Sequence, residues 1–533
     1  MAPSSSASRV GAVLGHLSSR SMASSSAGAQ DVILFESHLS SRTYILNRDK
    51  KLNALDQTML DVLRPKIEEW ASADLCKLVI GRGNGRAFCA GGDVASVVTQ
   101  AANPSTRPRA IEFFKREFEL DYLLAALGKP YVAVMDGITS TSCSTKIGYC
   151  PDVGASAFLA RLDGELGTYL ALTSEIISGR EVYELGLATH FVPSTSLPAL
   201  LRALQALEEP SWEAVDATIE GFYIAPEELG VGGDFEGQVN KEQAEGVPPS
   251  ERYARTQGGQ PQTQAPGQSS VLVLPTGPHS GAVRAAIDRA FSRPSVAGIL
   301  HELSYLAEHG LALPSASNAE AEKEQVKKWA GRVKGVLGMR SPTSLVVSLE
   351  AQRRGREAVR GEPASALERA LRMELGIATA FVNGASPDFS TGVRAVLIDK
   401  LPKDQRPAWE PSTVDAVPVD DILEKFFNPS SPYYKPASRL EIPESFAARP
   451  INNPNQFALP SEQEIESVIK GSHRTSGDFG LTVEEVVAKC ERDLAPGSRK
   501  SRRTKGGIRE KVADIVRRKC DVDAEGKWVK WRG

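Results

Sequence analysis

Histidine is scarce in this sequence, with seven among 533 residues, and cysteine is scarcer, with six. The cysteines form no C-x-x-C pair and no zinc spacing, so neither a disulfide framework nor a structural metal site is indicated. His279, His301, His309 and His473 show no i,i+4 pairing, and no metal ligation is expected. Long apolar runs are missing as well. None approaches the ~18–20 residues of a membrane span, which argues against a transmembrane protein. Charge of one sign is not in excess: Lys plus Arg is 63 and Asp plus Glu is 66, a net charge of -3. That excludes a globally basic DNA-binding protein and leaves room only for a local basic patch. Core material is ample, with 41% hydrophobic residues, in a chain long enough for two to four domains.

The first 30 residues hold Arg9, Arg20 and many serines, with no acid before Asp31. An acid-free, Arg- and Ser-rich start is the composition of a mitochondrial transit peptide, so the matrix is the expected location. Residues 230–277 are dominated by Gly, Gln, Pro and Ser. Such a segment buries too little apolar area to offset its ordering entropy, and is expected to be a flexible insertion. The stretch Ser498–Lys511 is strongly basic. It reads as a solvated loop leading into a terminal helix, or as a contact to a polyanionic partner.

Between these segments the pattern is mixed. VILFESHLSSRTYILN reads as a strand pair around His38–Ser41. Leu55, Met59, Val62, Leu63 and Ile67 follow a helical period, Leu78–Ile80 and Tyr131–Val134 read as buried strands, and Ile111–Leu127 reads as a helix. Strand–helix alternation over 31–229 predicts an α/β core. From 278 to 439 the periodicity is helical, in Ala282–Phe291, Ser295–His309, Ala319–Leu337, Thr343–Arg353 and Ala366–Val382. The expected plan is an α/β half, a helical half, and an extension over 440–533 ending in a helix.

The stretch GRGNGRAFCAGGDVASVV (81–98) carries the chemistry. A strand ends, a glycine-rich turn follows, and a helix is predicted to begin near Asp93. A dinucleotide turn is excluded, because the G-x-G-x-x-G spacing is absent. Two readings stand: a turn whose glycines serve backbone geometry alone, and an oxyanion hole. In the second, Gly91 and Gly92 present N–H groups to a ligand oxygen beside a helix start, which suits a thioester carbonyl.

LNRDKKLNAL (46–55) followed by AFCAGGD (87–93) resembles the crotonase, or enoyl-CoA hydratase/isomerase, superfamily. KPYVAVMDGIT (129–139), PDVG (151–154), GLATHFVP (186–193), SPTSL (341–345), GVRAVLIDK (392–400) and PAWEP (407–411) are similar to its 3-hydroxyisobutyryl-CoA hydrolase branch. The resemblance implies a crotonase-like spiral of ββα units with a helical C-terminal half. It also implies hydrolysis of an acyl-CoA thioester in mitochondrial valine catabolism, with no cofactor, since CoA belongs to the substrate. It places the first oxyanion turn at Gly91 and Gly92, a catalytic carboxylate at Asp152 and a substrate-contacting acid at Glu117. Coenzyme A would lie across Lys50, Leu52 and Ala54 and across Ala87 and Ala90, with Lys50 and Lys51 near its phosphates. Fungal members of the branch also serve as structural subunits of the mitochondrial small ribosomal subunit, which makes that ribosome a second expected partner.

The sequence departs from the family where DGIT runs into STSCSTKIGYCPDVG. A glycine triplet, a strand and a P-E-T turn belong here. The triplet falls on Thr141, Ser142 and Cys143, and the principal glutamate on Ser144. The second oxyanion donor and the main carboxylate are therefore missing. Cys143 is no substitute nucleophile, having no histidine nearby in sequence and no G-x-S-x-G elbow. Cys89 reads as packing beside the turn, and His190 as satisfying a helix end or loop carbonyl.

Overall fold

The structure is a computed structural model describing residues 31–139, 144–177, 179–224, 277–314, 316–402, 404–435, 437, 439–451, 453–472, 480–494, 505–523 and 528–532. Residues 1–30, residues 230–276 of the expected insertion, Thr141, Ser142, Cys143, His473 and residues 498–504 of the basic stretch lie outside them.

The strand pair forms as its pattern predicts. Strands β1 (Ile33–His38) and β2 (Ser41–Leu46) are antiparallel, in register from Ile33↔Leu46 to His38↔Ser41. Strand β3 (Leu78–Gly83) adds in parallel to β2, and β5 (Tyr131–Val134) adds in parallel to β3, giving the order β1-β2-β3-β5. Thr43 to Leu46 are all buried, as are Leu78, Val79 and Ile80, the mark of strands covered on both faces. A second small sheet pairs β4 (Ala87–Cys89) with β6 (Ile138–Thr139). A terminal hairpin joins β7 (Cys520–Val522) to β8 (Val529–Trp531).

Helix α1 (Gln57–Ser72) starts two residues later than its apolar period suggests. Asp56 caps it by accepting the Met59 N–H at 2.9 Å, and Leu55 is drawn into a bridge with Gly92 instead. Its buried face is Met59, Leu60, Leu63, Ile67 and Trp70, whereas Val62 is exposed. Leu60 takes the place expected for Val62 because the face is wide enough for adjacent residues. Helices α2 (Val94–Ala101) and α3 (Arg107–Ala125) follow, then α4 (Ala155–Phe158), α5 (Leu166–Thr173), α6 (Gly179–Glu184), α7 (Leu197–Gln205) and α8 (Trp212–Glu220).

The second half is helical as expected, in α9 (Gly281–Phe291), α10 (Val296–His309), α11 (Ala319–Met339), α12 (Pro342–Gly361), α13 (Ala366–Val382), α14 (Asp388–Val393) and α15 (Val419–Phe427). One apolar core runs through both halves: Met59, Phe114, Phe118 and Leu172 share it with Ile287, Val333, Leu345, Leu375 and Phe381. Beyond α16 (Glu444–Ala447), helices α17 (Glu462–Ile469), α18 (Val483–Asp493) and α19 (Ile508–Lys519) close over a separate cluster built on Ile465, Val486, Cys490, Val512 and Ile515. Arg518 ties α19 to α17 through Glu462 at 3.1 Å, and Asp514, one turn back on α19, holds its guanidinium at 2.6 Å.

Candidate functional site

The loop after β2 and the loop after β4 are knotted together. Leu52 and Asn53 both adopt left-handed backbone, at φ 51° and 57°, a region that asparagine tolerates better than most residues. Asn53 is fully buried. Its side-chain amide donates to the carbonyls of Asn84 at 2.9 Å and Ala87 at 2.7 Å, and its oxygen accepts the Arg48 N–H at 2.8 Å. The backbone completes the knot: Ala90 N–H donates to the Leu52 carbonyl, Leu55 N–H to that of Gly91, and Asp93 N–H to that of Leu55. Arg48 reaches Asp56 at 3.3 Å and Asp93 at 3.4 Å. Neither Arg48 nor Asn53 was singled out from sequence, although both lie inside the LNRDKKLNAL motif. Replacing Asn53 by Ala strands two carbonyls and one amide. We expect it to lower unfolding free energy by about 3 kcal/mol, read as a lower urea midpoint at an unchanged slope.

The knot sets which amides are available. Gly91 has φ 88°, and its own N–H donates to the Cys89 sulfur at 3.3 Å. Cys89 is thus more than packing: it holds the turn, and Gly91 supplies shape, leaving a ligand the neighbouring amide. The Gly91 carbonyl and the Asp93 amide flank Gly92 and both bond Leu55, so the Gly92 N–H points away from that pairing. Asp93 caps α2, accepting from the Ser96 N–H at 3.3 Å, so the predicted helix start beside the turn is present. A Cβ on Gly92 would stand 3.0 Å from the Phe113 ring and 3.3 Å from Glu117 Oε1, so the bare glycine lets this carboxyl approach. Of the other expected contacts, Lys50 and Lys51 are exposed in a short 3-10 turn, Leu52, Ala54 and Ala90 are half-buried, and Ala87 is buried with its carbonyl taken by Asn53.

Glu117 is buried, at 3% exposure, and points from α3 toward this turn. Asp121 lies one helical turn further on, on the same face. Asp152 and Glu374 complete a group of four carboxyls. Burial pushes Glu117 well above the usual carboxylate range, reinforced by Asp152 and then Asp121. Burial does the same to Asp121, with Asp152 and Glu374 adding to it. Asp152 is raised to about 7, again by burial, with Tyr149 and its own backbone pulling the other way. Asp121 and Asp152 keep part of their surface accessible, so they are deeply set and still open to one side. The Tyr149 ring is gripped by Phe114, Phe381 and Phe389 at 5.7, 5.0 and 4.7 Å. Its hydroxyl stands near Asp152 but makes no hydrogen bond of good geometry, and Asp121 Oδ2 is likewise buried without a partner. Such an arrangement can hold a proton on one carboxyl while its neighbour is ionised, which is what general acid–base chemistry uses.

Known proteins decide what this arrangement belongs to. The enoyl-CoA hydratase/isomerase family profile matches residues 41–140, 141–244 and 260–427. The chain belongs to that family. Among its relatives, a Neurospora crassa small ribosomal subunit protein mS47 is 30% identical over 525 residues, covering 94% of this chain and 88% of its own. The mitochondrial 3-hydroxyisobutyryl-CoA hydrolase of Homo sapiens is 30% identical over 420 residues, covering 75% of this chain and 89% of its own. The 3-hydroxyisobutyryl-CoA hydrolase 1 of Arabidopsis thaliana is 31% identical over 420 residues, covering 75% and 92%. A carnitinyl-CoA dehydratase from Mycobacterium thermoresistibile, 24% identical, superposes with a TM-score of 0.54 over 74% of this chain and 96% of its own. That likeness establishes the crotonase fold for the α/β and helical halves.

Within this family member the PDVG turn carries an unusual backbone. Val153 has φ 55° and Gly154 has φ 83°. A β-branched residue in the left-handed region costs on the order of 1–3 kcal/mol and persists only where its surroundings enforce it. Ser144, where the principal glutamate would stand, opens a 3-10 turn over Ser144–Ile147, and its carbonyl accepts the Tyr149 N–H at 2.9 Å. The next residue, Thr145, is wholly buried and bonds the Leu172 carbonyl and the Ser174 hydroxyl. His190 takes a different partner from the carbonyl expected: its Nε2 meets Asp216 at 2.9 Å, far in sequence from the acid cluster. His279 is buried between Glu181 at 2.7 Å and Tyr169 at 3.1 Å. Of the four carboxyls, the sequence reading passed over Asp121 and also Glu374. Its signal was a glutamate at a core position of α13, three residues after Leu371 and one before Leu375.

Proposed function

We propose that this protein is a mitochondrial acyl-CoA thioester-binding member of the 3-hydroxyisobutyryl-CoA hydrolase branch, with hydrolysis impaired by the short segment before Lys146. The observation that carries the reading is the convergence of the Gly92 turn with Glu117, which approaches within 3.3 Å of a Gly92 Cβ position and shares its charge environment with Asp152. A thioester carbonyl polarised at the Gly92 amide would have both carboxyls beside it. What the sequence does not supply between Thr139 and Lys146 is the family's glycine triplet and a glutamate, for which Ser144 offers only a hydroxyl without basicity near neutral pH. The composition of residues 1–30 and the mitochondrial hydrolases among the relatives support the location.

A second reading, a structural subunit of the mitochondrial small ribosomal subunit, is favoured by one observation. The match to the Neurospora crassa ribosomal protein leaves only 6% of 533 residues, about 32, uncovered. It therefore includes most of residues 440–533, which lie beyond the family profile's last residue, 427. Two measurements separate the readings. Calorimetric titration with a non-hydrolysable thioether analogue of 3-hydroxyisobutyryl-CoA is expected to show saturable one-site binding. Absence of binding, together with salt-sensitive co-sedimentation of the chain with mitochondrial small subunits, would leave the second reading alone.

A further inference from the structure

Glu374 is a wholly buried carboxyl on an otherwise apolar helix face, and neither of its oxygens is open to a ligand. Oε2 accepts the Gly154 N–H at 2.6 Å. Oε1 accepts the Ser156 N–H at 2.9 Å and the Ser156 hydroxyl at 2.6 Å. One donor is in the turn that follows Asp152, which holds the consecutive left-handed residues Val153 and Gly154, and the other two are on Ser156, at the start of α4 directly after it. The same segment is pressed from the helical half at a second point. Gly355 of α12 lies so close to the Ser156 carbonyl that a Cβ there would stand 1.9 Å away. A strained backbone held by three hydrogen bonds from a distant helix is a held direction, and the group whose direction it sets is the Asp152 carboxyl.

We propose that Glu374 is the positioning residue of this site: it pins the Val153–Gly154 backbone and the start of α4 from the helical half and thereby fixes the direction of the Asp152 carboxyl. The proposal rests on the reading of Asp152 as a ligand-facing carboxyl. Glu374→Gln tests it, because a glutamine must set its NH₂ against either the Gly154 or the Ser156 N–H, donor against donor. The turn must then open and admit water.

The experiment uses the full chain with carboxyl-¹³C aspartate. The Asp152 band is identified by its loss in Asp152→Asn and followed by infrared titration. In Glu374→Gln the Asp152 midpoint is expected to fall by at least ~1 pH unit toward the ordinary carboxylate range as the group becomes hydrated. Glu302→Gln serves as control. It removes another buried glutamate, paired with Arg289 and Arg293 on α9–α10, and should lower stability without moving that midpoint. The same Asp152 midpoint in wild type and in folded Glu374→Gln overturns the proposal. The thioether analogue is titrated in parallel, and Glu374→Gln is expected to bind it at least ~10-fold more weakly. If the wild type does not bind the analogue, the thioester reading falls, and the positioning role is then decided by Ser156→Ala, which removes one of the hydrogen bonds to Glu374 and keeps its carboxyl: a midpoint that falls there too upholds the role, and one that moves only in Glu374→Gln overturns it.

Discussion

Turnover of 3-hydroxyisobutyryl-CoA by the unmodified chain is expected to lie at least ~1,000-fold below that of a member with an intact site. One preorganised oxyanion donor is worth ~100- to 1,000-fold in rate, and a positioned general base ~100- to 10,000-fold. The two losses concern groups that act together, so they are not multiplied in full. On the proposed reading Gly92 would still polarise a carbonyl, and Glu117 and Asp152 would still orient water. On that reading the developing negative charge is without the family's second, glycine-borne amide. Replacing residues 140–145 with a segment that supplies a glycine triplet, a strand and a P-E-T turn should raise kcat by at least ~100-fold, with a smaller change in KM. Thiol release from the purified chain measures both. Turnover near ~10 s⁻¹, the middle of the range for enzymes, from the unmodified chain would sink this account. It would transfer the base role to Glu117, whose placement beside Gly92 makes it the next candidate.

Stability should fall as the pH rises from about 5 to 8.5, opposite to the trend of a protein held by ionised carboxylates. Unfolded aspartate and glutamate titrate near ~4. In the fold Asp152 is raised to about 7 and Glu374 to about 8, both chiefly by burial, and Glu117 and Asp121 move in the same direction. For a raised carboxyl the native state binds the proton more tightly than the unfolded state. Its stabilising contribution is therefore complete below ~4 and is lost as the pH climbs through the folded value. At ~1.4 kcal/mol per unit, the shift of Asp152 alone amounts to about 4 kcal/mol by pH 8. The four groups share their protons, so their contributions do not sum independently. His190 works the other way. Burial lowers its titration, so its contribution is present above its unfolded value near ~6.5 and is lost as the pH falls. One histidine is outweighed by four carboxyls. Urea midpoints measured across this range should decline for the wild type and flatten for Asp152→Asn. A midpoint that rises over the same interval would show that the four carboxyls are ionised and hydrated at neutral pH.

Local pattern was enough for most elements. The strand pair at His38–Ser41 follows from alternation broken by a turn, and α13 runs over Ala366–Val382 as its period indicates. The start of α1 was misplaced because Leu55 is apolar and in phase. What removes it from the helix is a backbone bridge to Gly92, 37 positions away, which no local period records. The AFCAGGD turn by itself left two readings open, a structural turn and a place where backbone amides approach a ligand, and only the family resemblance chose the second. Which amide is free was not legible. Cys89 takes the Gly91 N–H, and the choice rests on a sulfur only two residues away whose direction depends on the loop packed behind it.

The sequence by itself determined the family, the α/β-then-helical order and the absence of a glycine triplet or glutamate at Thr141–Ser144, because motifs, periodicity and residue identity are properties of one dimension. Tertiary structure decided the electrostatics. Glu117, Asp121, Asp152 and Glu374 lie on separate segments, and only folding brings them into one dry region where burial outweighs every other influence on their protons. It also decided how Asp152 is aimed. The left-handed backbone at Val153 is unfavourable in isolation, and it exists because a glutamate 221 residues later closes three hydrogen bonds on Gly154 and Ser156. Strain of that kind cannot be read from a residue and its neighbours, because the interactions that stabilise it come from elsewhere in the chain.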